Sequence, residues 1–337
     1  MSKLITKRAS EELKQLLRET GNANRDAAVA AQHDFAKAME VPLRKVLLAG
    51  DILGSIYTPI PLDKGQVAEY PTDLIAPGME GEHVAYTSPA HGRIPEKTLE
   101  SDYIAIPTYH IASSIDWLLK ISEEARWDVV NRAMEIFKAG FVKKMNDDGW
   151  HTLLAAGVDR NILVYDGDAT EGTFTKRLIS LMQTTMRRNS GGNSASDGRG
   201  RLTDLYVSPE ALEDIRNWGM DQVDEVTRRE IYMSSENGAP ITRIFGVNIH
   251  DLDELGEGQE YQEYYEQQLG GRVQEDDKEL VVGLDLSGNS SFVMPVKGDV
   301  EVFEDPTLHR QYRVGYYGWV DAGFAVLDNR KIILGSF

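Results

Sequence analysis

The chain has 337 residues, of which 41% are hydrophobic and 27% charged, values typical of globular proteins with one or two domains. Its 54 acidic residues outnumber the 36 Lys and Arg, and the net charge of −18 argues against tight nucleic-acid binding over the whole surface. The absence of cysteine excludes disulfides and thiolate metal sites. No apolar run has the length of a membrane span or the pattern of a signal peptide, so a cytosolic origin is the default expectation.

The first 50 residues form a mildly basic segment in which nine Lys or Arg stand against six acids, a net charge of +3. Helices are predicted over 8–19 and 24–40, the second rich in Ala and closed by Pro42. Their apolar surface is small. The segment is therefore interpreted either as an arm that lies on a neighbouring copy or faces a polyanion, or as a solvated helix of mixed charge.

Residues 57–107 hold seven of the twelve prolines and show no helical period. Short extended pieces are predicted at 82–87 and 103–106. Such a long stretch with few core-forming residues is anomalous inside a compact domain. This stretch is interpreted either as a lid or as an extended two-stranded excursion that becomes ordered on another subunit. The second is favoured by spaced apolar residues: Val67, Tyr70, Leu74, Ile75, Met79, Val84 and Tyr86.

One long helix is predicted over 122–156, with Ser122 as its N-cap. The sequence Asp147-Asp148-Gly149 is the place where it would bend or end early. One face of the helix is apolar and predicts burial against a large partner surface; it consists of Trp127, Val130, Met134, Phe137, Phe141 and Met145.

The remainder alternates helices and strands, which indicates an α/β or α+β block. Ser208, Pro209 and Glu210 have the order of an N-cap, a first-turn proline and an acid. Helices are predicted at 173–188, 210–218 and 221–233. Strands are predicted at 161–165, 202–207, 241–245, 247–251, 280–284, 291–296, 300–303, 310–326 and 331–334.

The sequence does not match the motifs typical of catalytic or cofactor-binding sites. Gly167 and Gly172 have the spacing of a phosphate loop, but the required Lys and Ser/Thr are missing. Asp251 and Asp253 resemble the start of a calcium loop whose twelfth position, Gln262, is no acid.

Carboxylate pairs such as Asp166 with Asp168, or Asp251 with Asp253, arise by chance among 54 acids. The histidines, at positions 33, 83, 91, 110, 151, 250 and 309, lack metal-ligand spacing. We therefore predict no catalytic, cofactor-binding or metal-binding residues, and no enzyme.

The order of features resembles the major capsid protein of tailed bacteriophages, the Hong Kong 97-like fold. Three stretches carry the similarity: Asp305–Ile333 with its glycine-spaced strand, Thr242–His250 after an Asn-Gly turn, and the strand-to-helix step Leu202–Leu212. The resemblance implies an α+β fold with four parts. These are an N-terminal helical arm at 1–56, an extended E-loop at 57–105, a peripheral domain at 106–160 and 300–337 with the spine helix 122–156, and an axial domain at 161–299.

By that resemblance the chain is a structural protein that forms pentamers and hexamers and then an icosahedral shell around double-stranded DNA. Arm and E-loop of one subunit would lie on its neighbours. Implied partners are a separate scaffolding protein, since no long acidic leader is evident, a portal, and a decoration protein as a further candidate. DNA contact would be weak and non-specific. The implied location is the virion, with assembly in the host cytoplasm and no membrane.

Some members of that family join the E-loop to a neighbour through a Lys–Asn bond. Lys64, Lys97 and Asn329 lie in suitable regions, but no spacing rule selects them, and we predict no cross-link. Two alternatives stay open. An encapsulin-type nanocompartment shell shares the fold and packages enzymes. A soluble oligomeric enzyme would use 57–107 as a lid.

Overall fold

The computed structural model describes residues 15–20, 25–48, 53–63, 65–71, 103–124, 126–170, 172–189, 200–218, 243–273, 279–287 and 291–337. The chain divides into two compact units. Unit 1 comprises residues 1–69, 105–149 and 293–325, and unit 2 comprises residues 70–104, 150–292 and 326–337. The pieces predicted at 82–87 and 221–233 lie outside the described residues. No helix in the described ranges combines the length and hydropathy of a membrane-spanning segment.

Helix α1 (Arg25–Leu48) follows a helical stretch at 15–20 and precedes the short helix α2 (Leu53–Ile56). It continues through Pro42, so the predicted stop there was wrong. A proline removes one backbone hydrogen bond, and in α1 the helix continues on both sides of it.

Phe35 of α1 is fully buried, with ring centroids 5.4 Å from Tyr316 and 6.4 Å from Trp117. These contacts lie within one chain and within unit 1. The chain itself therefore covers this apolar part of the arm, and the expectation that the arm lies on a neighbouring copy stays a prediction.

Unit 1 is built on a mixed sheet in the order β1-β10-β11-β4. Strand β1 runs parallel to β10, and the other pairs are antiparallel. The long strand predicted towards the C-terminus is confirmed as β11, whose residues alternate between buried and half-exposed positions. The strands are β1 (Thr58–Leu62), β4 (Tyr109–Leu118), β10 (Phe292–Glu304) and β11 (Arg313–Ala322).

Two predicted boundaries near this sheet were wrong. Strand β10 is continuous where two strands were predicted, and its register against β11 shifts between Lys297 and Glu301. Gly298, with a φ of +70°, supplies the left-handed residue that such a bulge uses. The strand predicted from residue 310 begins only at Arg313, because Pro306–Gln311 forms a 3₁₀ helix and Tyr312 has a φ of +56°.

Three short strands complete this part of the chain. Strand β12 (Ala325–Val326) pairs with β10. Strands β2 (Ala68–Pro71) and β3 (Tyr103–Ile106) form a two-stranded sheet, which confirms the extended piece predicted at 103–106.

The predicted long helix is present as α4 (Trp127–Asp159), preceded by the short helix α3 (Leu119–Glu123). Its 33 residues span about 50 Å. Ser122 is not its N-cap, because Ser122 lies inside α3 and its hydroxyl accepts a hydrogen bond from Trp117 Nε1 at 2.8 Å. Nor does the helix end at Gly149, whose carbonyl accepts a hydrogen bond from the Tyr57 hydroxyl at 2.9 Å.

The predicted apolar face of α4 is buried at Val130, Met134, Phe137, Phe141 and Met145. The rings of Phe137 and Phe141 meet edge to face at 5.1 Å. A Cβ atom at Gly318 of β11 would lie 3.4 Å from Phe137 Cζ and 3.1 Å from a carbonyl oxygen of β10. The glycine therefore lets the helix approach the sheet closely.

Unit 2 contains a second sheet in the order β5-β13-β9-β6-β8-β7. The β5/β13 and β6/β8 pairs are parallel, and the others are antiparallel. These strands confirm six of the predicted ones, with half of the ends shifted by one or two residues. They are β5 (Leu163–Tyr165), β6 (Asp204–Val207), β7 (Arg243–Ile244), β8 (Val247–Asp251), β9 (Leu280–Leu284) and β13 (Ile332–Ser336).

One face of this sheet is covered by α5 (Lys176–Asn189) and α6 (Pro209–Asn217). Met182 of α5 lies so close that a Cβ atom at Gly335 would be 2.9 Å from its sulfur. The predicted N-cap of α6 is confirmed, since Ser208 Oγ accepts a hydrogen bond from Ala211 N at 3.2 Å.

The opposite face is covered by the last turns of α4 and by α7 (Glu260–Glu263), which continues as a π-helical turn, Tyr264–Gln268. Trp150 of α4 lies edge-on to Tyr206 at 5.0 Å and is stacked with Tyr261 at 5.9 Å. The sheet thus separates α5 and α6 from α7.

Arg160 holds the segment of unit 2 that leads into β13. One of its guanidinium nitrogens donates to the carbonyl oxygens of Asn329, Arg330 and Ile332 at 3.2, 2.6 and 2.9 Å. Burial lowers the pKa of Arg160, while nearby Asp328 opposes that shift. The side chain holds the 3₁₀ helix Asn329–Lys331 at the start of β13.

Candidate assembly surfaces

Three aromatic side chains form a strip on the face of the unit 1 sheet opposite α4. Because β11 alternates its side chains, Tyr316 points into the core while Tyr317 and Trp319 point away from it. Phe303 of β10 stacks on Trp319 at 4.8 Å and on Tyr317 at 5.8 Å. We call Phe303, Tyr317 and Trp319 the aromatic strip. Its rings cover one another without being fully buried, as in surfaces that bind other proteins.

Polar side-chain pairs flank the aromatic strip on both sides. His110 of β4 pairs with Asp321 of β11. Arg313 Nε lies 2.7 Å from Asp116 Oδ2 at the other end of the same two strands. An apolar centre with a polar rim is the usual composition of a protein–protein interface.

Unit 2 carries an open groove beside the π-helical turn. Its volume is about 380 Å³, and its walls include His151, Glu260, Glu263 and Tyr264. The rings of His151 and Tyr264 stack at 3.7 Å and form an aromatic wall. Exposed carboxylates give the groove a negative charge, so it suits a cationic or mixed aromatic and cationic partner.

A buried carboxylate, Asp204, stabilises the pairing of β6 with β8. Asp204 of β6 accepts hydrogen bonds from Asn248 at 3.0 Å and pairs with His250 Nε2 at 2.9 Å. Burial alone raises the pKa of Asp204, but bonds from His250, Thr203 and Asn248 outweigh that and leave it below its ordinary value. His250 of β8 is thus a structural partner of β6.

A second carboxylate, Glu279, contacts the N-cap of α6 through Ser208 Oγ. Burial raises the pKa of Glu279, the Ser208 bond opposes the rise, and three nearby carboxylates (Glu210, Asp214 and Glu257) add to it. The group links β9 to α6.

Of the two carboxylate pairs considered in the sequence, one is held by structural contacts and the other is exposed. Asp166 Oδ2 accepts a hydrogen bond from Thr175 at 2.7 Å, and Arg177 pairs with both Asp166 and Asp168. Asp251 and Asp253 are exposed. Among the described residues, no group of three or more His, Asp or Glu side chains has the arrangement of a metal site.

Of the residues considered for a cross-link, Lys64 and Lys97 lie outside the described part of the chain. Asn329 is at the start of a 3₁₀ helix, and its Nδ2 lies 3.4 Å from Asp159 Oδ2. The absence of a cross-link therefore stays a prediction.

The aromatic strip and the groove were both missed in the sequence. The strip could have been found from the alternation in β11, which places Tyr317 and Trp319 on one face. Nothing in the sequence brings Phe303 beside them or joins His151 to Tyr264, because those contacts depend on strand pairing and tertiary packing.

Comparison with solved structures shows which fold this is. The chain superposes on a structure from Microbacterium phage Oxtober96 with a TM-score of 0.57 at 10% identity, covering 86% of this chain and 91% of that one. The capsid asymmetric unit of cyanophage Pam1 matches with a TM-score of 0.54 at 13% identity over 84% and 88%. The asymmetric unit of the bacteriophage PhiM1 mature capsid matches with a TM-score of 0.53 at 10% identity over 83% and 85%.

No protein-family model and no curated protein sequence matches the chain. The likeness is therefore one of fold, and it extends over most of each chain. The chain has the α+β, Hong Kong 97-like fold of phage capsid structures, which confirms the resemblance inferred from the order of its elements.

Proposed function

We propose that this chain is the major capsid protein of a tailed bacteriophage and that it assembles into pentamers and hexamers of an icosahedral shell enclosing double-stranded DNA. The observation that carries the proposal is the shared fold with the Pam1 and PhiM1 capsid units over more than four-fifths of the chain. In this function the chain is a structural protein and not an enzyme.

The exposed surfaces support the proposal. A shell subunit needs surfaces that are complete only when other copies are present, and the aromatic strip around Trp319 has that composition. The acidic surface agrees with weak, non-specific contact to DNA, since a shell must enclose a polyanion without holding it tightly.

The domain assignment remains part of the proposal. The arm would be 1–56, the E-loop 57–105, the peripheral domain 106–160 with 300–337, and the axial domain 161–299. The division of the described chain at 149/150 falls inside helix α4, so the last turns of the spine helix belong with unit 2. A separate scaffolding protein and a portal are proposed partners, a decoration protein is a further candidate, and the virion is the proposed location.

The contents of purified particles test this function against the encapsulin alternative. We expect particles isolated from infected cells to contain double-stranded DNA that resists nuclease until the shell is opened. Particles that instead hold a folded enzyme and no DNA would contradict the phage function while leaving the fold unchanged. For the scaffolding partner, the chain is expressed alone; uniform closed shells formed without any helper would contradict a required scaffold.

A further inference from the structure

An exposed phenylalanine occupies the turn between β7 and β8. Phe245 has a φ of +51° and is 53% exposed, and Gly246 after it has a φ of +81°. A bulky residue rarely adopts the left-handed region, where glycine or asparagine is preferred. The chain therefore carries a conformational cost at Phe245 and a second cost from exposing its ring.

Arg243 contacts this turn, and Arg187 belongs to the helix packed beside it. Gln183 Nε2 of α5 donates to the Phe245 carbonyl at 3.2 Å, so the turn lies against the middle of that helix. Exposed Arg187 follows Gln183 by one helical turn on the same side. Arg243 donates to the Gly246 carbonyl at 3.3 Å. We call Phe245, Arg187 and Arg243 the arginine turn; aromatic residues and arginine are the types most enriched among interface hot spots.

The groove of unit 2 has the complementary chemistry. Its aromatic wall, formed by His151 and Tyr264, suits a phenyl ring. Exposed Glu260 and Glu263 line the same groove and suit guanidinium groups. The volume of about 380 Å³ leaves room for a phenylalanine side chain with adjoining arginine ends.

One copy cannot join the two surfaces. The arginine turn lies beside α5, on the face of the sheet that contacts Met182. The groove lies beside α7, on the face that contacts Trp150. Since the sheet separates them, the contact needs a second copy. A contact between two different surfaces of identical subunits is head to tail and generates rings when the rotation closes.

We propose that the arginine turn of one copy inserts into the groove of the next copy and thereby holds neighbouring subunits together in each ring. The inference rests on the proposed function and deepens it by naming the partner and the surfaces. Phe245 is the apolar anchor, and Arg243 and Arg187 pair with Glu263 and Glu260.

Charge exchange in the full-length chain tests the contact. Arg243→Glu and Glu263→Arg are made singly and together, and the protein concentration for half-maximal assembly is measured by light scattering and electron microscopy. Each single variant is expected to raise that concentration about tenfold or more, as for a hot spot. The double variant is expected to return to within about threefold of the unmodified protein, because it restores opposite charges.

Matched controls use exposed charges on α6 of the same unit. Arg216→Glu and Glu213→Arg lie outside both surfaces and are expected to change the half-assembly concentration by less than about threefold. Circular dichroism of every variant must match the unmodified protein. A double variant as defective as either single variant would overturn the contact, and so would single variants that assemble normally.

Phe245→Gly separates an interface role from a structural one. Glycine tolerates the left-handed turn, so the isolated subunit is expected to melt no lower than the original. Assembly is nevertheless expected to weaken about tenfold or more through loss of the ring. A lower melting temperature with normal assembly would overturn the anchor role. If the unmodified chain never assembles, with or without the proposed scaffolding protein, the proposed function fails too; if it assembles and no variant matters, only this contact fails.

Discussion

The packing of α4 on the unit 1 sheet predicts a large difference between two substitutions on one helix. Phe141 is buried to 1% exposure and its ring meets Phe137 edge to face, whereas Ile136 is 59% exposed. Phe141→Ala removes a buried ring and leaves a cavity, at a cost of about 3–5 kcal/mol in the free energy of unfolding. Loss of the edge-to-face contact accounts for about 1 kcal/mol of that cost.

The matched control, Ile136→Ala, removes little buried surface and gains helix propensity, so it is expected to change stability by less than about 1 kcal/mol. Both variants are compared by urea unfolding of unassembled subunits, followed by tryptophan fluorescence and circular dichroism. Equal effects of the two substitutions would refute the assignment of the helix faces.

Phe141→Asp and Phe137→Asp extend the same reasoning. An unpaired carboxylate at either position is buried without a partner, which costs more than the cavity. We expect each of these variants to lose folding or assembly outright rather than to show a reduced activity. Soluble Asp variants that still close into normal shells would contradict this packing.

Three further predictions concern unit 2. Gly283→Ala places a methyl group 2.6 Å from Leu202 and should destabilise the subunit by about 1–3 kcal/mol, whereas Gly167→Ala, with its nearest neighbour at 3.7 Å, should be nearly neutral in thermal melts. Arg160→Met removes the nitrogen that donates to three carbonyls and should cost about 2 kcal/mol in urea unfolding; an unchanged midpoint would contradict the clamp. Asp204 has a lowered pKa in the folded state, so its stabilisation is complete above the unfolded pKa of about 4 and is lost as pH falls through the lower folded value. Asp204→Asn should therefore flatten the acid side of the stability–pH curve, and an unchanged slope would argue against the Asp204–His250 pair.

Periodic patterns allowed the main elements to be predicted. The spacing of Val130, Met134, Phe137 and Phe141 identified the buried face of α4, because helix geometry alone brings those positions together. The two-residue alternation identified β11 for the same kind of reason. The order of these elements along the chain was then enough to identify the fold.

Local end signals were less reliable than periodicity. Ser122 has the residue type of an N-cap but lies in a separate short helix, where it bonds Trp117. Pro42 has the residue type of a stop, yet α1 passes through it. In both cases neighbouring structure outweighed a preference of about 1–3 kcal/mol.

The candidate surfaces depend on contacts between residues far apart in sequence. Phe303 meets Trp319 only after β10 and β11 pair, and Tyr264 meets His151 only after α7 packs on α4. A sequence without aligned relatives carries no signal for such contacts. Phe245 was the exception, since a bulky residue before glycine at a tight turn between two strands is unusual and could have been noticed.

The most direct test of the shell function is electron microscopy of the purified, full-length protein across a range of concentration, salt and pH, with and without the scaffolding protein proposed as its partner. We predict closed particles of uniform diameter whose walls show five-fold and six-fold clusters. A small, discrete oligomer that never assembles under any of these conditions would contradict the proposal that the chain is a capsid protein.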